Sequence, residues 1–152
     1  MPHAWRIIKR KHAETAFTGE GAAKSGGRWN SKGVPMVYCG WTRSLALLET
    51  LVHLNPPIYF EYVIFGAEFA SELAEQVHPA DLPPQWRSHP PSPATQDLGD
   101  QWVKSGRSAV LAVPSAIVPE ECNYVLNPAH PDFALIRFGG PEFFSFDPRL
   151  LA

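Results

Sequence analysis

The chain has 152 residues, of which 45% are hydrophobic and 18% charged, a balance that argues against a disordered polypeptide and predicts a folded globular protein. The length suits one core, so one domain over residues 1–152 is expected; no run nears the ~20 apolar residues of a membrane span, and Met1 to Arg6 lacks a signal peptide's apolar stretch, which makes the cytoplasm the expected compartment. Net charge is −2 but uneven: residues 1–49 carry eight Lys/Arg against three Asp/Glu, the remainder five against twelve, a bias that suits an anionic ligand or partner and equally a solvated basic face.

Trp5 to Ile8 predicts a short strand, and the glycine-bearing polar segment through Gly19, Gly21, Gly26 and Gly27 reads as loop. Val34 to Cys39 predicts the next strand; period two puts Met36 and Tyr38 on one face, Val37 and Cys39 on the other. Thr42 or Ser44 caps a helix with a body from about Leu45 to Leu54, ended by Asn55-Pro56-Pro57. At about 100° per residue, Leu47, Leu48, Leu51, Val52 and Leu54 form its apolar arc with Leu45 at the margin. Glu49, Thr50 and His53 fall on the remaining arc, Glu49 at its border.

Residues 58–69, rich in aromatic and branched side chains, predict a strand or a bulged pair. Residues 79–93 hold six of the sixteen prolines and read as a long surface connection. Thr95 caps a short helix through Trp102 and Val103 that closes near Gly106, and Ser108 to Val113 follows as a strand. Pro114-Ser115 begins a polar turn, Tyr124 to Leu126 forms a small strand, and Ala134–Arg137 and Phe143–Phe146 complete the set. Six or seven strands and two or three helices in no repeating order make the fold class α+β.

Several chemistries lack their motifs: there is no Gly-x-Gly-x-x-Gly, no phosphate-loop Gly-Lys-Ser/Thr and no Gly-x-Ser-x-Gly. Cys39 and Cys122 are too far apart for a close-spaced metal or redox motif and read as small buried hydrophobes, and the six histidines lack helical zinc spacing, so no metal is expected. The stronger constellation is Arg28 on the approach to a strand, Tyr38 on that strand and Glu49 on the following helix. Arginine grips phosphates through paired hydrogen bonds, tyrosine offers a flat ring with a polar tip, and glutamate accepts bonds from sugar hydroxyls. Together they suit a nucleotide-sugar substrate. Taken singly, each also has an ordinary reading: a surface charge for Arg28, a core ring for Tyr38, a solvated helix position facing His53 for Glu49.

Two segments, GGRWNSKGVPMVYCGWTRSLALLETLVHL (residues 26–54) and VLAVPSAIVPEECNYVLNPAHPDF (residues 110–133), resemble the RES domain family, bacterial toxins of toxin–antitoxin pairs, with a likeness that covers nearly the whole chain. The family's Arg, Tyr and Glu fall on Arg28, Tyr38 and Glu49, its loop serine on Ser115, and its Asn-Pro-x-His-Pro segment on Asn127 to Pro131. The resemblance implies a compact domain similar to ADP-ribosyltransferases, with mixed or antiparallel sheets and a few flanking helices. It implies no cofactor: NAD is the substrate, degraded by phosphorolysis with inorganic phosphate as co-substrate or by hydrolysis, or used for ADP-ribosyl transfer to a protein.

In that reading Glu49 stabilises the cation that develops on the ribose, Arg28 holds the pyrophosphate, Tyr38 orients the nicotinamide ribose end, and Ser115 adds a hydrogen bond near the nicotinamide or phosphate. Arg6, Trp29, His53 and Asn127 are second-rank candidates for lining the site. The implied partners are a helix-turn-helix antitoxin of the Xre type that blocks the site and a second toxin copy in a homodimer, with no membrane and no direct nucleic-acid contact. An RNA-binding or RNA-cleaving toxin is the reading from another class, prompted by the basic first third and five tryptophans; a catalytically silent partner-binding module is a third. Against the second stands the lack of a basic stripe interleaved with aromatics.

Overall fold

A computed structural model of the chain describes residues 1–54 and 60–151. Its strands are β1 (His3–Lys9), β2 (Val37–Gly40), β3 (Tyr62–Glu68), β4 (Ala74–Gln76), β5 (Val110–Pro114), β6 (Cys122–Leu126) and β7 (Arg137–Phe144), and its helices α1 (Glu20–Ser25), α2 (Arg43–Leu51) and α3 (Pro93–Ser105). All seven strands join one sheet in the order β4-β5-β6-β2-β1-β3-β7. Only β4 and β5 run parallel, so the sheet is mixed and the class is α+β, as expected.

Strand alternation sorts the core onto two faces. Val37 and Cys39 pack on one side with Ala4, Ala67, Phe69, Val110 and Leu126, while Met36 and Tyr38 pack on the other with Trp29, Trp102, Leu111, Val113 and Val125, the partition that period two predicts for β2. The second face carries α2 and α3, since Ala46 packs with Ile7 and Ile64 and Trp102 with Leu111 and Val113.

The structure departs from the sequence expectation at five places. The glycine-bearing loop contains α1, entered through Gly19 at φ +77° and left through Gly26 at φ +72°; left-handed glycines at both ends let a six-residue helix sit inside a segment that reads as turn. β4 was not expected, because three residues are too short to show a period. α3 starts at Pro93 behind Ser92, with Thr95 inside the first turn donating to the Ser92 carbonyl at 3.1 Å; proline is preorganised for the first helical position. Its left-handed Gly106 end matches expectation. Ala134 and Leu135 lie in a 3-10 turn over Pro131–Leu135, and the two strands expected beyond Ala134 are the single edge strand β7, where Gly139-Gly140-Pro141 is tolerated because one side of the strand needs no ladder partner.

The fifth departure concerns α2. It is capped by Thr42, whose Oγ1 accepts from the Leu45 N–H at 3.0 Å, but Leu45 and Ala46 are its buried residues at 1% and 4% exposure, whereas Leu48 and Val52 are 38% and 61% exposed. The helix is rotated from the apolar arc so that Leu45, at the arc's margin, points into the core and Glu49, one turn further on, follows it. The expected stop at Asn55-Pro56-Pro57 and residues 58–59 of the expected third strand lie outside the described residues.

Candidate active site

α2 packs against β1 and β2, and from it Glu49 reaches the residue after β5 and the start of β6. Close packing at Gly40 permits this, since a Cβ there would lie 2.6 Å from the Ala46 backbone nitrogen. One carboxylate oxygen of Glu49, Oε1, accepts from Ser115 Oγ at 2.7 Å and from Asn123 Nδ2 at 2.8 Å. Among the described residues, no hydrogen bond engages Oε2. Rotation of α2 away from its apolar arc is thus matched by two hydrogen bonds to a charged group, each worth about 1.5–3 kcal/mol in typical proteins.

Ser115 follows β5 directly and is fully buried. Its hydroxyl donates to Glu49 and accepts from the N–H groups of Ile117 and Val118, both at 3.1 Å, which uses its proton and both lone pairs. It therefore folds the 115–118 turn around itself and aims the carboxylate. Asn123, at the start of β6 opposite Gly40 and Val113, donates to the same oxygen, while its own Oδ1 is buried and has no partner among the described residues.

Tyr38 organises the approach to the site. Its hydroxyl donates to Asn30 Oδ1 at 2.7 Å and accepts from the Trp29 N–H at 2.9 Å, and burial pushes its pKa well above the ordinary range, so the phenol stays neutral. Asn30, fully buried, also donates to the Ala22 and Val34 carbonyls. From α3, Gln96 donates to the Gly27 carbonyl and Asp100 accepts from the Ser31 N–H, each at 3.0 Å. Only glycine fits at position 27, where a Cβ would come within 2.7 Å of the Tyr38 hydroxyl.

The loop so clamped presents Arg28, whose Nη1 donates to the carbonyls of Trp86 and Ser88, both at 2.8 Å. Burial lowers the Arg28 pKa, the nearby Glu49 and Tyr38 raise it, and Arg87 lowers it. The half-buried guanidinium thus feels the Glu49 carboxylate without forming an ion pair with it, and among the described residues its Nε and Nη2 make no hydrogen bond.

Arg28, Tyr38, Glu49 and Ser115 are thereby brought to one region on the helix-bearing face. Of the second-rank candidates, Trp29 adjoins this region and the other three lie apart from it. Arg6, partly buried, lies on the Cys39 side of the sheet, where Nε donates to the Ala16 carbonyl and Nη1 to the Tyr38 carbonyl. Trp29 is a core residue at 2% exposure. His53 is exposed beyond the end of α2. Asn127 is buried past the other end of β6, about 13 Å along the strand from Asn123, and its Oδ1 accepts from the Ala129 N–H at 3.0 Å.

Sequence reasoning missed Asn123, whose only local signal is a polar residue on the same strand face as Val125. It also missed the carbonyls of Trp86 and Ser88, which carry no side-chain signature. Among the described residues, no cluster of three or more His, Cys, Asp or Glu could hold a metal ion, and no helix is long and apolar enough to cross a membrane.

The chain is similar to known proteins over nearly its whole length. Toxin Res of Yersinia enterocolitica is 40% identical over 148 residues, covering 96% of this chain and 97% of the relative. The Prs ADP-ribosylating toxin of Sphingobium sp. is 40% identical over 153 residues, covering 97% of this chain and 95% of the relative. A chain of the crystal structure of the M. tuberculosis MbcT–MbcA toxin–antitoxin complex shares the fold with a TM-score of 0.72 at 15% identity, over 95% of this chain and 84% of that one. The family model described as RES domain matches residues 3–147, and with that match spanning nearly the whole sequence the chain belongs to the RES domain family.

Proposed function

We propose that this protein is the toxin of a toxin–antitoxin pair and an enzyme that cleaves the nicotinamide–ribose bond of NAD. The observation that carries this reading is the state of Glu49: two donors hold one of its oxygens, and among the described residues the other has no partner, beside an arginine that forms no ion pair there. Breaking the glycosidic C–N bond sends the electron pair out with neutral nicotinamide and leaves positive charge on the ribose. A carboxylate already fixed in place stabilises that charge without reorganising in the transition state. Arg28 takes the diphosphate. Ser115 and Tyr38 act through other groups, Ser115 by aiming Glu49 and Tyr38 by holding the loop that carries Arg28. Phosphate or water then attacks the ribose carbon, giving ADP-ribose phosphate or ADP-ribose.

The names of the Yersinia and Sphingobium relatives support the assignment as a toxin. Origin of the fold neighbour in a toxin–antitoxin complex supports an antitoxin as partner, for which a helix-turn-helix protein of the Xre type that covers the site is the proposed form. A second reading, ADP-ribosyl transfer to a protein side chain, is favoured by the name of the Sphingobium relative and begins with the same bond.

Incubating the purified protein with NAD, with and without inorganic phosphate and with products identified by mass, tests the proposal. Nicotinamide release is expected; intact NAD under both conditions refutes it. Glu49→Gln keeps the shape and removes the charge, so turnover should fall by about a hundredfold or more. A folded variant with full turnover would remove Glu49 from the mechanism.

A further inference from the structure

Eight arginines occur in the chain. Among the described residues, five lie within salt-bridge distance of a carboxylate: Arg10, Arg43, Arg107, Arg137 and Arg149. Arg6, Arg28 and Arg87 have no such partner. Arg6 is occupied by two backbone carbonyls across the sheet from the site. The other two adjoin one another.

The geometry of the turn at residues 85–88 shows how. Arg28 Nη1 donates to the carbonyls of Trp86 and Ser88, the residues on either side of Arg87. The turn is closed by the Ser88 N–H on the Gln85 carbonyl at 2.9 Å, with Gln85 in the left-handed region at φ +61°. Arg87 is exposed, and its Nε donates at 3.0 Å to the carbonyl of Ala116, the neighbour of the Ser115 that holds Glu49. Arg87 thus ties the turn that seats Arg28 to the turn that aims Glu49, while its two Nη groups make no hydrogen bond among the described residues.

Charge matching gives this placement a use. Arg28 and Glu49 alone sum to zero, a poor counterpart for a diphosphate that carries two negative charges. A second guanidinium makes the site cationic, and two planar forks side by side match two phosphates. We propose that Arg87 is a second anion-binding residue of this site, its Nη groups gripping one phosphate of the dinucleotide's diphosphate while Arg28 grips the other and Nε stays on Ala116. The inference rests on the reading of NAD as substrate, but the anion site can be tested without turnover.

Inorganic diphosphate and ADP-ribose are titrated calorimetrically into the wild type, Arg87→Ala, Arg87→Gln, Arg87→Lys and, as an exposed control, Arg149→Ala. Loss of a charge-assisted contact predicts affinity about ten- to a hundredfold weaker in Arg87→Ala. Arg87→Gln should be as weak, because it can still reach a carbonyl but has no charge. Arg87→Lys should recover part of the loss, and Arg149→Ala none of it. In turnover, Arg87→Gln, which keeps a donor for the Ala116 carbonyl, should raise KM for NAD with kcat nearly unchanged.

Unchanged affinity in Arg87→Ala, or wild-type affinity in Arg87→Gln, overturns the proposal. So does a rise in KM confined to inorganic phosphate, which would make Arg87 the seat of the free co-substrate. If the wild type leaves NAD intact yet binds diphosphate in an Arg87-dependent way, the proposed activity fails and the anion site stands. If NAD is cleaved with the same KM in Arg87→Ala, the reverse holds.

Discussion

Asn123 offers the sharpest test of how the site is built. Its Nδ2 supplies one of two hydrogen bonds to Glu49 Oε1, at 2.8 Å, while its Oδ1 is buried with no partner among the described residues. Asn123→Ala removes a charge-assisted bond worth about 1.5–3 kcal/mol and with it an orphaned acceptor that costs about 1–3 kcal/mol. The two terms nearly cancel in folding stability, so the melting temperature should move little. They do not cancel in turnover: losing one of two anchors of the carboxylate should lower kcat about ten- to a hundredfold, the factor corresponding to roughly 1.4–2.8 kcal/mol. Asn123→Asp sets a second carboxylate against Glu49 and should be less active than Asn123→Ala at neutral pH. It should recover towards pH 5, because two carboxylates at hydrogen-bonding distance share one proton. NAD consumption followed alongside thermal denaturation measures both quantities. Full activity in Asn123→Ala, or an activity loss that tracks destabilisation beyond about 3 kcal/mol, would refute this account of Glu49.

Leu45→Ala should cost about 2–5 kcal/mol in denaturant unfolding and Leu48→Ala under about 1 kcal/mol; equal effects would contradict the rotation of α2. Gly27→Ala forces a Cβ to 2.7 Å from the Tyr38 hydroxyl and should destabilise by about 1–3 kcal/mol, with a matching loss of diphosphate affinity as the Arg28 loop shifts; a variant as stable as the wild type would show that the loop yields freely. Burial pushes the Cys39 thiol from 9.0 up to about 12, and the Tyr38 phenol upward too. A folded pKa raised above its unfolded value contributes stability that is fully present below the unfolded pKa and lost as pH rises through the folded one. Stability should therefore hold below about pH 9 and fall from there towards pH 12. Cys39→Ala should make that fall shallower, as denaturant melts between pH 7 and 11 would show; an unchanged slope would mean that the thiol is not titrating.

Local chain chemistry made much of this protein legible before any coordinates. The alternation of Met36 to Cys39, the Thr42 cap and the Gly106 stop each depend on interactions within a few residues, and each lies where expected. Motif resemblance also picked out Arg28, Tyr38, Glu49 and Ser115, which the fold brings to one region. Tertiary packing decided the rest. The apolar arc did not single out one rotation of α2, and the one adopted is that in which Glu49 meets donors at the ends of two other strands. Those bonds span 66 residues to Ser115 and 74 to Asn123; the carbonyls that seat Arg28 lie 58 and 60 residues away. No periodicity or spacing encodes such meetings. The sequence by itself determined most of the strands and the two longer helices, because those follow from local sterics and hydrophobic period, and its motifs named the candidate side chains. Which polar atoms satisfy one another inside the site was decided only when the sheet order β5-β6-β2 laid distant segments side by side.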